Sequence, residues 1–364
     1  MRILTVVGNR PQFIKAAAVS GPLRERHEEI LVHTGQHHDD SLSRVFFSEL
    51  GLRRPERELG IAGGSNASQT ARMLAALEPL LADVRPDAAL VYGDTNSTLA
   101  GALAAAQARI PLAHVEAGMR SFDRAMPEEL NRVLCDHASD LLLCSSDTAA
   151  ANLAAEAVTG RVEVVGDVMV DVALRWQPAA RADGAVPAAY GLTPGEYLLL
   201  TAHRAGNVDD RQRLRSLVQL IEALPAPVLF PVHPRTRTRL QDAGLLDALA
   251  AREGVQLTEP LGYVEFSALV CQARAVLTDS GGVQKEAYLA GVPCVTLRAS
   301  TEWVETVDAG WNTLVDLDAQ ATLAALERTP PVEHPQLYGD GRAGQRCVEA
   351  IENYVTVSRA ARRY

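Results

Sequence analysis

The sequence predicts an α/β protein made of two doubly wound parallel-sheet domains facing each other across a cleft. Continuous apolar, β-rich runs alternate with helix-patterned stretches along all 364 residues, as expected of strands covered by helices on both faces. The alternation occurs twice, with a Pro-, Gly- and Ala-rich stretch between the two halves. The length also exceeds one comfortable core and suits two of about 150–180 residues each.

In the first half the expected strands are "RILTVVG" (2–8), "EILVHTG" (29–35), "AALVYGD" (88–94), "PLAHVEAG" (111–118), "DLLLCS" (140–145) and "VEVVGD" (162–167). Helical stretches separate them. In "QTARMLAALEPLLADV", Leu74, Leu77 and Leu81 recur at spacings of three and four and share one helix face. The second half repeats the scheme with "YLLLTAH" (197–203), "PVLFPVH" (227–233), "VQLTEP" (255–260), "AVLTDS" (275–280) and "PCVTLR" (293–298). The expected organisation is a first domain over 1–170, a linker over 171–196 and a second domain over 197–340. A last helix over 341–364 is placed to cross back onto the first domain.

Composition narrows the function. Hydrophobic residues make up 47% of the chain, enough to fill two cores, and 26 glycines with 19 prolines indicate many turns rather than disorder. A net charge of −10 argues against broad nucleic-acid or anionic-membrane binding while leaving room for a local phosphate pocket. Five scattered cysteines without CxxC spacing read as buried free thiols in a reducing compartment. The first apolar run is too short for a signal peptide, and no run approaches the roughly 20 residues of a membrane span. A cytoplasmic protein is expected.

In open parallel sheets ligands bind outside the carboxyl ends of the strands. Those ends carry Asn9, Arg10 and Lys15, then Gln36 and His37, Asp94 and Glu116. In the second half they carry His203, Arg204, His233, Asp279, Ser280, Gly281 and Gly282. The clearest motif is "TDSGGVQKEA". Its glycines allow close backbone approach to an anion, and the following helix offers free N–H groups and a positive end. Glu286, a turn further on, is placed to accept hydrogen bonds from a ribose diol. A bare GG is more often a plain turn; the flanking Asp-Ser and Glu favour nucleotide phosphate. Neither "GNRPQF" nor "DSGGVQ" is GxGxxG, so no nicotinamide cofactor is expected.

Taken singly, the acids read as structural. Asp94 suits an N-cap, and Glu128 and Glu129 behind Pro127 suit the first turn of a helix. Glu116 is harder to explain as a cap, because Gly118 follows it. Together Asp94, Glu116 and Glu128 put three carboxylates on one rim, which calls for acid/base chemistry. "GQHHDD" (35–40) has metal-ligand residue types, but adjacent residues in an extended loop do not converge, and no metal is expected. The chain holds only two lysines, Lys15 and Lys285, among many arginines. Lys15, in "GNRPQFIKAA", sits where a phosphate site favours a compact ammonium over a planar fork.

In order, "GNRPQFIK", "TGQH", "VYGDTNST", "HVEAGMRS", "PEELNR", "AHR", "PVHP", "TDSGGVQKEA" and "TEWVET" resemble the signature blocks of the non-hydrolysing UDP-N-acetylglucosamine 2-epimerases over nearly the whole chain. The resemblance implies two Rossmann-like domains arranged as in GT-B glycosyltransferases, with UDP held mainly by the second. It implies interconversion of UDP-N-acetylglucosamine and UDP-N-acetylmannosamine without a cofactor or metal. It also implies a homodimer serving cell-surface polysaccharide synthesis.

By motif, the resemblance makes Asp94, Glu116 and Glu128 the catalytic carboxyls and puts His203 near the diphosphate. Arg10, Lys15 and Arg132 fall on the substrate side, Ser280, Gly281 and Gly282 on the phosphates, Glu286 on the ribose and Phe266 beside the uracil. Three places depart from the family pattern. "HRAGN" has Gly206 where many relatives have an acid, and "TEWVE" has Trp303 where relatives have a substrate-side Arg. "QHHDDSLSR" lacks the Gln-rich form tied to activation by substrate, so that regulation is not expected. The same blocks resemble the branch acting on UDP-2,3-diacetamido-2,3-dideoxyglucuronate. A retaining glycosyltransferase, a non-catalytic UDP-sugar sensor and a hydrolysing epimerase remain as competing readings.

Overall fold

A computed structural model describes residues 1–36 and 51–361. Two compact units are found, Met1–Val172 with Tyr338–Tyr364 and Ala173–Leu337. The first unit holds a seven-stranded sheet. Its strands are β1 (Arg2–Val7), β2 (Glu28–His33), β3 (Arg57–Glu58), β4 (Ala88–Tyr92), β5 (Leu112–Ala117), β6 (Leu141–Cys144) and β7 (Arg161–Val164), in the order β3-β2-β1-β4-β5-β6-β7. The second unit holds β8 (Leu198–Thr201), β9 (Val228–Pro231), β10 (Val255–Thr258), β11 (Ala275–Thr278), β12 (Cys294–Thr296) and β13 (Asn312–Leu314), in the order β10-β9-β8-β11-β12-β13. All pairings are parallel. Both sheets are therefore doubly wound, and their strand order reverses between β1 and β4 and between β8 and β11. Crevices for ligands open at such switch points.

Local sequence explains the elements. The central strands are fully apolar because helices cover both faces: Leu4, Val6, Leu90 and Val91 in the first unit, and Leu198, Leu200, Val276 and Leu277 in the second, are buried. Helix Arg10–Arg26 starts at Asn9, whose side chain accepts from the Gln12 N–H at 3.2 Å, with Pro11 in the first turn. Helix Asn96–Gln107 starts in a capping box between Thr95 and Thr98. Leu77 and Leu81 of helix Asn66–Val84 are buried against the sheet, whereas Leu74 is only partly covered.

The stretch expected to be a linker, 171–196, is largely helical, occupied by helices Val168–Ala182 and Ala185–Ala189, with the unit boundary inside the first of them. Pro178 and Pro187 sit within these helices, and the high helix propensity of the surrounding alanines outweighs them. β3 and β13, two and three residues long, also escaped the apolar-run criterion. The last helix, Ala343–Ala361, packs on helix Arg10–Arg26 within the first unit. Gly344 permits that approach, because a Cβ there would lie 2.2 Å from the Ala18 carbonyl oxygen.

Candidate active site

Each unit gathers a set of polar side chains at its own switch point. In the first unit, Gln12 ties the loops together. Its Oε1 accepts from the Gly8 N–H at 2.7 Å, while its Nε2 donates to the Tyr92 carbonyl at 2.8 Å and to Thr98 Oγ1 at 2.9 Å. The ends of β1 and β4 are thus held in register. Lys15, one turn beyond Arg10 on the same helix, forms an ion pair with Glu116. Burial alone would lower the pKa of Lys15, but the carboxylates of Glu116 and Asp94 more than offset it and hold the ammonium above its ordinary value.

Glu116 owes its position to an irregularity in β5. The register against β6 shifts between Val115 and Ala117, and Glu116 adopts φ +69°, a left-handed conformation unusual for a residue with a side chain. Such strain persists only where its surroundings enforce it. Here a buried network does so. His114 Nδ1 lies 2.7 Å from Asp136 Oδ1 and its Nε2 lies 2.7 Å from the Gly93 carbonyl. Asp136 Oδ2 accepts from the Gly118 N–H at 3.1 Å and from Arg120 Nη1 at 2.7 Å, and Arg120 donates to Glu156 at 2.8 Å. Gly93, next to Asp94, and His114 and Gly118, two residues either side of Glu116, are thereby held in place. Burial would raise the pKa of Asp136, but His114 and Arg120 reverse that and hold it below the usual carboxylate range.

Asp94 pairs with Arg132 of helix Pro127–Ala138, and Arg132 Nη1 also reaches Glu129 Oε2 at 3.1 Å. The two adjacent acids of that helix separate cleanly. Glu129 is buried and accepts from the Ser121 N–H at 2.9 Å, Ser121 Oγ at 3.0 Å and the Phe122 N–H at 3.0 Å. Although burial opposes it, these bonds and Arg132 hold the Glu129 carboxyl below its ordinary pKa. Glu128 is exposed. The first unit therefore brings together Lys15, Glu116, Asp94 and Arg132, with Arg10 half-buried at the start of the same helix as Lys15.

In the second unit Asp279, fully buried at the end of β11, organises the end of β8. Its carboxylate accepts from the N–H groups of His203 at 3.0 Å and Arg204 at 2.9 Å and from Asn207 Nδ2 at 3.1 Å. The His203 ring stacks on His233 with centroids 5.3 Å apart. Burial, aided by the guanidiniums of Arg204 and Arg235, holds the His203 imidazole below its ordinary pKa despite Asp279. His233 Nδ1 accepts from the Arg235 N–H at 3.1 Å.

Ser280 begins helix Gly281–Leu289 without capping it by its side chain, so the helix's first N–H groups stay available to an anion. Gly281 sits in a tight place: a Cβ would stand 3.1 Å from the Trp303 indole nitrogen and 3.3 Å from Glu302 Oε1. A Cβ on Gly282 would meet nothing nearer than Ser280 Oγ at 3.9 Å, leaving the turn open on that side. Glu286 and Phe266 are both half-buried. Glu286 lines a small cavity with Trp176 and Tyr263, and Phe266 packs on the core that includes Leu199 and Val276. Gly206 lies in the short helix Ala205–Val208 with open space around it. Gln36 Oε1 accepts from the Ser97 N–H at 3.0 Å, whereas His37 and the rest of "HHDDSLSR" (37–44) lie outside the described residues.

A sheet switch point carrying paired cations and carboxylates, and a second carrying an open Ser-Gly-Gly helix start, fit a phosphorylated substrate and acid/base chemistry. The model of the family described as UDP-N-acetylglucosamine 2-epimerase matches residues 23–352. The chain belongs to that family. Among individual proteins, the UDP-2,3-diacetamido-2,3-dideoxy-D-glucuronate 2-epimerase of Pseudomonas aeruginosa is 45% identical over 96% of this chain and 99% of its own length. A UDP-N-acetylglucosamine 2-epimerase homolog of Methanococcus maripaludis is 44% identical over 97% of this chain and all of its own. The crystal structure of Methanocaldococcus jannaschii UDP-GlcNAc 2-epimerase in complex with UDP-GlcNAc and UDP superposes with a TM-score of 0.89 at 39% identity, covering 97% of this chain and all of that one. The 2-epimerase fold of two parallel α/β sheets is therefore shared end to end.

Among the described residues no cluster of His, Cys, Asp and Glu has metal-site geometry, and no helix is long and apolar enough to cross a membrane. Sequence patterns did not point to Gln12, the His114–Asp136–Arg120 network or the partners of Lys285. These depend chiefly on contacts between residues 16 to 86 positions apart, which leave no local signal; only the polar residues inside otherwise apolar strands, such as His114, hinted at them.

Proposed function

We propose that this protein interconverts UDP-N-acetylglucosamine and UDP-N-acetylmannosamine without hydrolysis, by eliminating and re-adding UDP. The observation that carries the proposal is the arrangement of Lys15 on Glu116 and Arg132 on Asp94 at the ends of β4 and β5. The proton on C2 of a 2-acetamido sugar is not next to a carbonyl in the ring, so simple abstraction is very slow. Breaking the C1–O bond to UDP as C2 loses its proton gives 2-acetamidoglucal and bound UDP. Returning a proton to the opposite face of C2 and UDP to C1 yields the epimer.

This sequence needs carboxyl groups on both faces of C2, assigned here to Asp94, Glu116 and Glu128. It also needs donors for the departing diphosphate. Gly281 and Gly282 supply backbone N–H groups, Ser280 its hydroxyl, since its own N–H donates to Thr278 Oγ1 at 3.0 Å, and His203, Arg10 and Lys15 add side-chain donors. Arg132 orients Asp94. Glu286 takes the ribose diol, and Phe266 lies by the uracil. The chemistry also requires surroundings that retain the glucal and exclude water.

The test is product analysis with UDP-N-acetylglucosamine. The proposal predicts a mixture of the two intact UDP-sugars at constant composition. Free N-acetylmannosamine would instead identify a hydrolysing enzyme, acceptor-dependent loss of UDP a glycosyltransferase, and binding without turnover a sensor. The 45% identity to the Pseudomonas aeruginosa relative favours a second reading, the 2-epimerisation of UDP-2,3-diacetamido-2,3-dideoxyglucuronate. It predicts a higher kcat/KM on that sugar. The resemblance extends the proposal to a homodimer, which sedimentation velocity checks.

A further inference from the structure

Lys285, the second of the chain's two lysines, is 2% exposed on helix Gly281–Leu289. A strongly hydrated ammonium rarely stays there without a compensating partner. Its Nζ lies 4.2 Å from the centroid of the Trp303 ring, within cation–π range. Trp303 is buried too and is fixed through its backbone. Its N–H donates to Thr301 Oγ1 at 3.1 Å, and Thr301 Oγ1 donates to Gln284 Oε1 at 2.6 Å on the helix that carries Lys285.

The ring is thus held by its face over Lys285 and by its backbone to Gln284, while its Nε1 edge reaches the phosphate turn, 3.1 Å from the Cβ position of Gly281. Glu302 shares that space at 3.3 Å, and a carboxylate there would repel a phosphate. Arg298 Nη1 at 2.8 Å and Arg204 Nη2 at 3.8 Å balance its charge.

We propose that Trp303 is a diphosphate-binding, specificity-determining residue: its indole N–H donates to a phosphate oxygen seated on the 280–282 turn, and Lys285 beneath the ring fixes the indole and adds positive field. This rests on the UDP-sugar reading. An arginine would present a mobile, forked cation at such a place. The Trp303–Lys285 pair presents one directed neutral donor with its charge buried behind it, so it rewards correct placement of the diphosphate more than mere negative charge.

The experiment is calorimetric titration of the full-length protein and its Trp303→Phe and Lys285→Met variants with UDP and with uridine, circular dichroism confirming the fold. Trp303→Phe keeps an aromatic face over Lys285 and removes only the N–H. It is expected to weaken UDP about tenfold while uridine changes less than about twofold, since a hydrogen bond to a charged group is worth roughly that factor or more. Lys285→Met is expected to weaken UDP with uridine likewise unmoved; should it fail to fold, Trp303→Phe decides alone. Unchanged UDP affinity in Trp303→Phe, or parallel losses for UDP and uridine, overturns the inference alone. Wild-type protein that does not bind UDP overturns it together with the proposed function.

Discussion

Lys15 and Glu116 come from distant parts of the chain and meet because β1 and β5, parallel strands on either side of β4, have their carboxyl ends on the same side of the first sheet. Each was visible as a polar residue at an apolar strand end; their pairing was not. Replacing Glu116 with Gln keeps the shape and removes the carboxylate. We expect kcat to fall by about 10²–10⁴-fold, the usual range for a lost general acid or base, with circular dichroism confirming that the fold is kept.

Glu129 serves the opposite purpose. Its pKa is lowered in the folded state, so its carboxylate contributes stability above the unfolded value of 4.5 that is lost as pH falls through the lower folded value. Glu129→Gln should therefore lower stability at pH 7, and its gap from wild type should narrow below pH 4.5, as thermal melts over pH 3.5–7 would show. A gap independent of pH would contradict this. Neighbouring acids in "PEELNR" look alike in the sequence. Which one turns inward is decided by the 121–122 backbone N–H groups that Glu129 satisfies, and nothing local reveals that.

At the scale of elements, two close approaches depend on glycine. Gly344→Ala would put a methyl 2.2 Å from the Ala18 carbonyl and push helix Ala343–Ala361 off helix Arg10–Arg26. Urea unfolding should show a loss of about 2 kcal/mol, the scale of an overpacked core. Gly281→Ala, crowding the Trp303 indole and Glu302, should weaken UDP binding while leaving stability close to wild type.

The long strands were legible because doubly covered strands must be continuously apolar. "AALVY" and "VLFP" announce themselves in this way. β13 was not legible, since three residues beginning with the buried Asn312 carry no run. The helices within 171–196 were not legible, because Pro and Gly mark breaks only where the surrounding residues do not favour helix strongly enough to absorb them.

Across the whole molecule, each unit has its own hydrophobic core, one around Leu4, Val6 and Leu77 and another around Leu198, Phe230 and Leu277. Each also has its own polar switch point. Hydrogen exchange tests the roles proposed for each switch point. UDP alone should slow the amides of residues 203–204 and 280–284, whereas the intact UDP-sugar should also slow residues 94–97 and 116–118. Protection of the second unit only, with the full substrate bound, would contradict the division of labour.

The account stands on an otherwise inert carbon exchanging its hydrogen while the nucleotide is detached. Proton NMR of UDP-N-acetylglucosamine with the enzyme in heavy water tests this most directly. We predict loss of the C2 proton signal in both epimers, with traces of free UDP and 2-acetamidoglucal accumulating. Epimer formation with the C2 proton fully retained, or no exchange with either candidate UDP-sugar, would contradict it.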